Sequence, residues 1–452
     1  MKKIIYLLML LSLLLFSCSE VERDNPYDTN NSNNSEDTNN SDNIDGGTYN
    51  ESGFRIIYNS NNATGGTVPV DRNYYETGAI AKVIGNIENL EKTDSVFYEW
   101  NTAPDGTGDS YGMGQSIRIV NEDVTLYAKW GSPYKKIDSL DFQVYDAEYS
   151  DFLEAIILVP LNSDKLYVFK TLSGELASVS LSIIPICVSV SPDGKYAAVG
   201  GDGSMEYVDL ISLSSVKTIT STGASAFDIV LAGNGYAYIF PLKDQHERII
   251  CVKLSDNTIT QSTGNFIYER TRAKLHPDGM RIYGADNGIS PSDIEMYSIS
   301  GGTAVYGYDS QYHGDYSMGG SLWISEDGKY LFTYRGNVFS CSTVKDMDMI
   351  YSGHIGVSGF SYKWIDHSSV IQQLVCIPAV DLYMTEKDFI ELYSSSNLHF
   401  ITKKYIPFTC VDNISYPGYG IFGFYSSNGS TLNVIYKVNT SSNIMTSKVV
   451  QY

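Results

Sequence analysis

The sequence predicts a mainly β protein with more than one folded unit, and three observations support this prediction. At 452 residues, 43% apolar and 13% aromatic, the chain exceeds what one hydrophobic core usually serves and has the composition of folded protein. Short apolar runs alternate with turns rich in glycine, asparagine and aspartate. Beyond the N-terminus we find no apolar pattern with the 3.6-residue period of an amphipathic helix.

The first 17 residues have the features of an export signal, because a Lys-Lys pair precedes thirteen mostly apolar residues that end at Phe16. A helix of that length rises only about 20 Å, short of the roughly 30 Å hydrocarbon core, so we expect cleavage rather than a transmembrane anchor. The residues Leu15-Phe16-Ser17-Cys18 resemble the lipobox of bacterial lipoproteins. The resemblance implies that Cys18 is acylated and holds the protein in a bilayer; an ordinary signal peptide is the alternative.

Residues 18–53 join this cysteine to the folded part of the chain, and they are rich in asparagine, serine and aspartate. Because the segment has so few apolar residues, it cannot bury enough apolar surface to offset the entropic cost of ordering the chain. We therefore expect a disordered stalk. The net charge is -21 and no region after Cys18 is basic, which argues against nucleic-acid binding. The lipobox-like residues that end at Cys18 lead us to expect the lipid bilayer as a partner. They also predict a location in the bacterial cell envelope, at the outer membrane and either periplasmic or surface-exposed.

Residues 54–131 form a module with its own motifs. They are the strand Phe54-Arg55-Ile56-Ile57-Tyr58, the box Trp100-Asn101-Thr102, the turn Asp105-Gly106-Thr107-Gly108 and the terminal Leu126-Tyr127-Ala128-Lys129-Trp130. The segment resembles the Listeria-Bacteroides repeat, also called the internalin B-repeat. The resemblance implies a small β-grasp-like fold of bacterial surface proteins that acts as a spacer or weak adhesive unit, without catalysis.

Residues 136–452 contain a repeat. Turn glycines at positions 194, 235, 279 and 328 are 41, 44 and 49 residues apart. Strand centres recur every 40 to 52 residues, near Val168, Val208, Val252, Tyr297, Ser340, Leu392 and Tyr436. Four short strands per repeat of this length predict a β-propeller, and seven centres predict seven blades.

The turn Ser191-Pro192-Asp193-Gly194 and the strands around it resemble the YVTN and WD40-like propeller superfamily. Blades six and seven lack the Pro-Asp-Gly signature and are assigned from spacing. The sequence leaves open whether residues 137–146 form the inner strand of blade one or close the ring by pairing with blade seven.

Five further cysteines follow Cys18 in separate strand-like segments, which indicates buried thiols rather than a disulfide framework. They are Cys187, Cys251, Cys341, Cys376 and Cys410. The residues Gly418–Gly423 fit the dinucleotide pattern G-x-G-x-x-G, but a strand rather than a helix follows them. We therefore expect neither a cofactor nor a metal.

The candidate ligand-binding residues come from loops that one face of the predicted propeller would share. In the family topology, that face carries the loops between the second and third strands of each blade and the loops that link blades, including the loop from Asp286 to Asp293. Tyrosine-rich polar loops of this kind suit contact with sugars or peptides. The candidates are His246, Tyr312, His313, Asp315, Tyr316 and His354. Trp323 and Trp364 lie in predicted inner strands, where we expect core positions.

The sequence contains no constellation that identifies a reaction, so no catalytic residue is assigned. We expect a non-enzymatic binding or adhesion protein with a protein or glycan ligand. A propeller-type hydrolase or lactonase is the alternative, which rests on fold analogy alone.

Overall fold

The computed structural model describes residues 53–131, 133–243, 246–357, 360–379, 386–440 and 445–452. The predicted signal peptide, Cys18 and the stalk lie outside these residues. The described residues contain 36 β-strands, numbered β1 to β36 in chain order, and one 3-10 turn at Lys345–Met347. They fall into two compact units: the first holds residues 53–131 with Phe408–Tyr416, and the second holds the rest.

The first unit is built on a four-stranded sheet in the order β1-β6-β3-β4, in which β1 and β6 are parallel. A second pair, β2 and β5, is antiparallel. Strands β1 to β6 are Ile56–Asn59, Ile80–Lys82, Val96–Asn101, Ser110–Tyr111, Ser116–Arg118 and Val124–Gly131. The hairpin of β32 (Thr409–Val411) and β33 (Ile414–Tyr416) also belongs to this unit, although its sequence lies within the range that we assigned to the propeller.

Trp100 is the centre of this unit's core. It is fully buried, and its ring packs edge-on against Tyr58 and Phe97 at 4.7 and 5.0 Å between centroids. Its indole Nε1 donates to the carbonyl of Ile84 at 2.8 Å, so burial leaves no donor unpaired. The Oδ1 atom of the next residue, Asn101, accepts the backbone N–H groups of two residues in the following turn. The Trp-Asn-Thr box thus supplies both a core residue and the template of a turn.

The second unit is a β-propeller of seven four-stranded sheets, counted over the described residues, and in blades one to six the spatial order of strands follows the chain. Strands β8 to β19 form blades one to three, at Val144–Ser150, Ala155–Pro160, Lys165–Lys170, Leu176–Ser180, Cys187–Val190, Tyr196–Gly200, Met205–Asp209, Ser214–Ile219, Ala226–Leu231, Tyr236–Pro241, Ile250–Lys253 and Ile259–Gln261. Strands β20 to β31 form blades four to six, at Arg272–Leu275, Arg281–Ala285, Ile294–Ser298, Val305–Asp309, Leu322–Ile324, Tyr330–Thr333, Asn337–Ser340, Tyr351–His354, Tyr362–Ser368, Gln373–Pro378, Phe389–Ser394 and Phe400–Tyr405. The predicted mainly β fold and its propeller are confirmed.

Blade seven combines both ends of the propeller sequence. Its first three strands are β34 (Gly418–Tyr425), β35 (Leu432–Asn439) and β36 (Met445–Gln451), and its fourth is β7 (Lys136–Leu140), antiparallel to β36. The sequence left two roles open for residues 137–146, and the segment serves both, because β7 closes the ring and β8 then begins blade one. Six of the seven predicted strand centres lie in third strands, whereas Tyr436 lies in a second strand.

Burial falls from the inside of each blade to its edge. Strand β9 is buried at every position because neighbouring blades cover both of its faces, whereas β19, at an outer edge, is exposed throughout. The turn between the first two strands of blades two to five holds the predicted glycines at φ of 71°, 83°, 69° and 69°. Glycine reaches this left-handed region without the steric cost that a Cβ imposes.

The cysteines follow the prediction in part. Among the described residues none forms a disulfide, and Cys187, Cys251 and Cys376 are buried. Cys341 is partly buried, and Cys410 is exposed. Burial was therefore the wrong expectation for Cys410, because the short hairpin strand that carries it has its side chains largely on the surface.

Candidate ligand site

The first strands of successive blades surround a central channel, and several of their carboxylates bind the neighbouring blade. Asp146 of blade one accepts the backbone N–H of Val188 in blade two at 2.9 Å. Asp228 of blade three accepts the N–H of Ala273 in blade four at 2.9 Å. The inner edge of a sheet presents N–H groups without a ladder partner, and these side chains satisfy them. The channel acids therefore hold the ring together.

The channel also pairs its charges. Lys274 Nζ lies 3.1 Å from a carboxylate oxygen of Glu148, and Arg272 lies 3.8 Å from Asp228. Burial raises the pKa of Asp146 to about 7, and the positive charge of Arg272 opposes that rise. Arg272 and Lys274 each have an acidic partner. These channel charges therefore stabilise the propeller and do not by themselves indicate a ligand site.

Trp323 and Trp364 occupy the inner strands, as the sequence predicted. Trp323 is 4% exposed, and the indole Nε1 of Trp364 donates to the carbonyl of Gly423 at 2.6 Å. Both also line a cavity of about 230 Å³ in the channel. Burial raises the pKa of Asp366, in the same cavity, to about 7.

A second cavity, of about 380 Å³, opens on the face that carries the loops between second and third strands and the loops between blades. We call it the blade-four cavity. Its lining residues come from blades three and four and the loops that follow them: His246, Asn265, Phe266, Tyr268, Asp286, Ile289, Pro291, Asp293, Glu295, Asp309 and His313. None of these described lining residues is a lysine or an arginine.

Strand register brings the four carboxylates of this cavity together. Asp286 directly follows β21 and Asp293 directly precedes β22, so the two bracket one loop, and the Asp293 N–H donates to Asp286 at 2.7 Å. Glu295 of β22 lies opposite Asp309, the last residue of β23. Asp286 and Glu295 are only 3% and 6% exposed. The same end of blade four thus collects acids from three strand ends.

Burial has a large effect on these acids. It raises the pKa of Asp286 to about 7, of Asp293 to about 6 and of Glu295 to about 8. Hydrogen bonds from the backbone or from Tyr297 oppose the rise in each case. His313 Nδ1 lies 2.9 Å from Asp293, and this contact also lowers the pKa of that carboxyl.

The loop that carries His313 is fixed to the loop between β21 and β22. Ser292 Oγ accepts the N–H of Gly319 at 2.7 Å, and the Asn287 side chain binds both backbone groups of Gly320. These bonds hold the two loops side by side at the mouth of the cavity. The same two loops bring His313 Nδ1 to within 2.9 Å of Asp293.

Aromatic rings form the blade-three side of the cavity. The His246 ring lies 5.9 Å from that of Phe266 and 5.8 Å from that of Tyr268. The Arg248 guanidinium lies 4.5 Å from the Phe266 ring centroid and donates to two backbone carbonyls, which fixes that loop. A flat apolar wall therefore stands in the same cavity as the carboxylates.

The structure brings together two of the six predicted ligand residues, His246 and His313. Tyr312 and Tyr316 instead pack on Phe339, and the Tyr316 ring stacks on Tyr351 at 4.0 Å. Asp315 is exposed in the same loop, outside the cavity lining.

His354 also lies away from the cavity, because it ends the outer strand of blade five opposite Asn337. The sequence analysis placed the loop from Asp286 to Asp293 on this face but named none of the four cavity acids as a candidate. The only signal for them was the pair of aspartates that brackets the loop from Asp286 to Asp293, because the other two meet through strand register.

The fold and this cavity define a class: a β-propeller with a loop-face cavity, joined to a small β module. Residues 54–129 match the family model of the Listeria-Bacteroides repeat domain, which confirms the resemblance seen in the sequence motifs. A protein of Evansella cellulosilytica named "Putative membrane protein" is 24% identical over 135 residues, which cover 28% of this chain and 20% of that protein. The match thus spans about a fifth of the relative's length.

Solved propellers resemble the second unit. The Cps50 (Swd1) β-propeller domain of Myceliophteria thermophila gives a TM-score of 0.52 at 7% identity, covering 70% of this chain and 99% of that chain. Hydrazine synthase of Kuenenia stuttgartiensis gives 0.50 at 12% identity, covering 68% and 96%. At these identities the likeness shows the fold alone. Within the described residues, no helix has both the length and the apolar character needed to span a membrane.

Proposed function

We propose that this protein is a lipid-anchored binding protein of the bacterial cell envelope that holds a glycan in the blade-four cavity without transforming it. The observation that supports the proposal is the pairing of an aromatic wall with a set of carboxylates in one cavity of about 380 Å³. Sugars present flat C–H faces that pack on aromatic rings and hydroxyl groups that donate to carboxylates. The blade-four cavity provides both the aromatic rings and the carboxylates that such a ligand needs.

The anchoring part of the proposal rests on the lipobox-like residues that end at Cys18. The name of the Evansella relative is consistent with a place at a membrane. Two or three acyl chains on one cysteine would give stable attachment, because each buried methylene contributes about 0.8 kcal/mol. In this arrangement the repeat module serves as a spacer between the stalk and the propeller.

A glycan array probed with the mature protein, produced without its lipid, tests the proposal. Phe266→Ala removes an exposed ring from the cavity wall and should weaken binding of the best glycan about tenfold or more, as loss of an aromatic anchor commonly does. Phe152→Ala is the matched control, because Phe152 is also exposed but lies in the first turn of blade one, on the opposite face. Its binding should equal that of the unmodified protein.

Three results would count against the proposal. Equal glycan binding by Phe266→Ala and the unmodified protein would place the ligand outside the blade-four cavity. Binding to a peptide array without binding to any glycan would mean that the ligand is a peptide. Shorter saccharides in the incubation mixture, detected by chromatography, would favour the hydrolase alternative.

A further inference from the structure

Three side chains in the blade-four cavity converge as metal ligands do. Asp293, Asp309 and His313 each present one donor atom, and these atoms lie within 4.8 Å of one another. The donors come from the start of β22, the end of β23 and the loop beyond it. Two carboxylate oxygens and an imidazole nitrogen form a mixed donor set rather than a purely acidic surface cluster.

Two further acids line the same cavity beside the three donors. Asp286 and Glu295 are more than nine-tenths buried and line the same space, and within the described residues neither forms an ion pair with lysine or arginine. Glu295 and Asp309 also stand directly opposite on paired strands. Like charges in that position destabilise a sheet, and an uncompensated buried carboxylate is costly. A cation bound in the cavity would remove both costs and would keep these acids ionised.

We propose that the blade-four cavity is a zinc site in which Asp293, Asp309 and His313 bind the ion and leave a coordination position open to the cavity. Imidazole with carboxylates suits zinc and its neighbours in the first transition series, whereas calcium prefers six to eight oxygen ligands. Three protein ligands with one open position is the arrangement of zinc sites that also hold an exogenous ligand. The inference goes beyond the proposed function, since zinc can bind whether or not a glycan does.

Removal of metal with a chelator, followed by titration with zinc alone and calorimetry, tests this site. The mature protein should bind about one zinc ion per chain. His313→Ala should weaken that binding on the order of 100-fold or more, since loss of a direct ligand should exceed the 10- to 100-fold effect of losing its supporting residues. The His313 side chain is 61% exposed, so its truncation should leave folding intact, which a thermal melt checks. Asp309→Asn should behave like His313→Ala.

Asp315→Asn is the matched control, because Asp315 is an exposed acid in the same loop that does not line the cavity. It should bind zinc like the unmodified protein. Cobalt substitution supplies a second readout: a site of oxygen and nitrogen donors lacks the intense near-ultraviolet band of cobalt bound to thiolate. Zinc binding unchanged in His313→Ala, a thiolate band, or no binding by the unmodified protein would overturn the proposal. A zinc-binding protein that recognises no glycan would refute only the proposed function.

Discussion

Asp366 shows how a buried acid of this propeller is held by the backbone of the next blade rather than by a cation. It accepts the N–H of Tyr425 in blade seven at 3.0 Å. Burial raises its pKa to about 7, and the neighbouring acids Asp151 and Glu326 add to the rise. The folded protein therefore keeps a proton that the unfolded chain releases near pH 4.

Asp366→Asn should remove a pH dependence of stability. Because the folded pKa is raised, the stabilisation by the protonated carboxyl is present at about pH 4 and is lost as the pH rises to about 7. Asparagine keeps a hydrogen-bond acceptor and cannot ionise. At pH 8 the free energy of unfolding of the variant should therefore exceed that of the unmodified protein by about 1 kcal/mol. This figure is smaller than the pKa shift alone would give, because solvent in the channel screens the charge. Urea unfolding at pH 4.5 and pH 8 measures the change. A difference that is the same at both pH values would contradict this account.

Elements of the ring are joined by side chains that cross from blade to blade. Asp228 is one example, since it accepts the N–H of Ala273 and lies 3.8 Å from Arg272. The guanidinium of Arg272 also lies 4.1 Å from the ring centroid of Phe227. One carboxylate thus fixes the junction of blades three and four.

Asp228→Ala should destabilise the propeller by about 2 to 4 kcal/mol, because it leaves the buried N–H of Ala273 without its acceptor and removes the carboxylate that pairs with the Arg272 guanidinium. Asp346→Ala is the control, since Asp346 is an exposed acid in the 3-10 turn, and it should change the free energy of unfolding by less than about 0.5 kcal/mol. Chemical denaturation measures both variants. Equal stability of the two would mean that the channel acids do not hold the ring.

The elements that the sequence predicted best are those with a local signal. The turn glycines at 194, 235, 279 and 328 lie where the spacing placed them, because a left-handed turn position is encoded by one residue. Blade seven was harder to predict from local signals. Its first turn contains Asn428-Gly429, but its fourth strand comes from residues 136–140, about 300 residues away in sequence. Such pairing depends on ring closure, which no local pattern records.

The candidate site was likewise predicted only where the loop topology indicated it, and not where it depended on strand pairing. The topology placed His246, His313 and the loop from Asp286 to Asp293 on one face, and the structure has them there. The opposition of Glu295 and Asp309 depends on the register of β22 and β23, which shifts by a bulge next to Tyr297 and is not readable from composition. Tyr312 and Tyr316 match a binding loop in composition, yet they pack on blade five.

At the scale of the whole molecule, we propose that attachment and recognition reside in different parts of the chain, at Cys18 and in the blade-four cavity. Cys18→Ser should release the protein from membranes without unfolding it, because Cys18 precedes both folded units in the chain. Detergent phase partition of cells that express the variant measures release, and a thermal melt checks the fold. A variant that stays in the detergent phase would show that Cys18 is not the anchor.

We propose that this protein holds its ligand in the blade-four cavity. A crystal structure of the mature protein with zinc and the best glycan from the array tests it most directly. We expect zinc between Asp293, Asp309 and His313, with the glycan packed against Phe266. A glycan found in the central channel between Trp323 and Trp364, or on the repeat module, would contradict the claim.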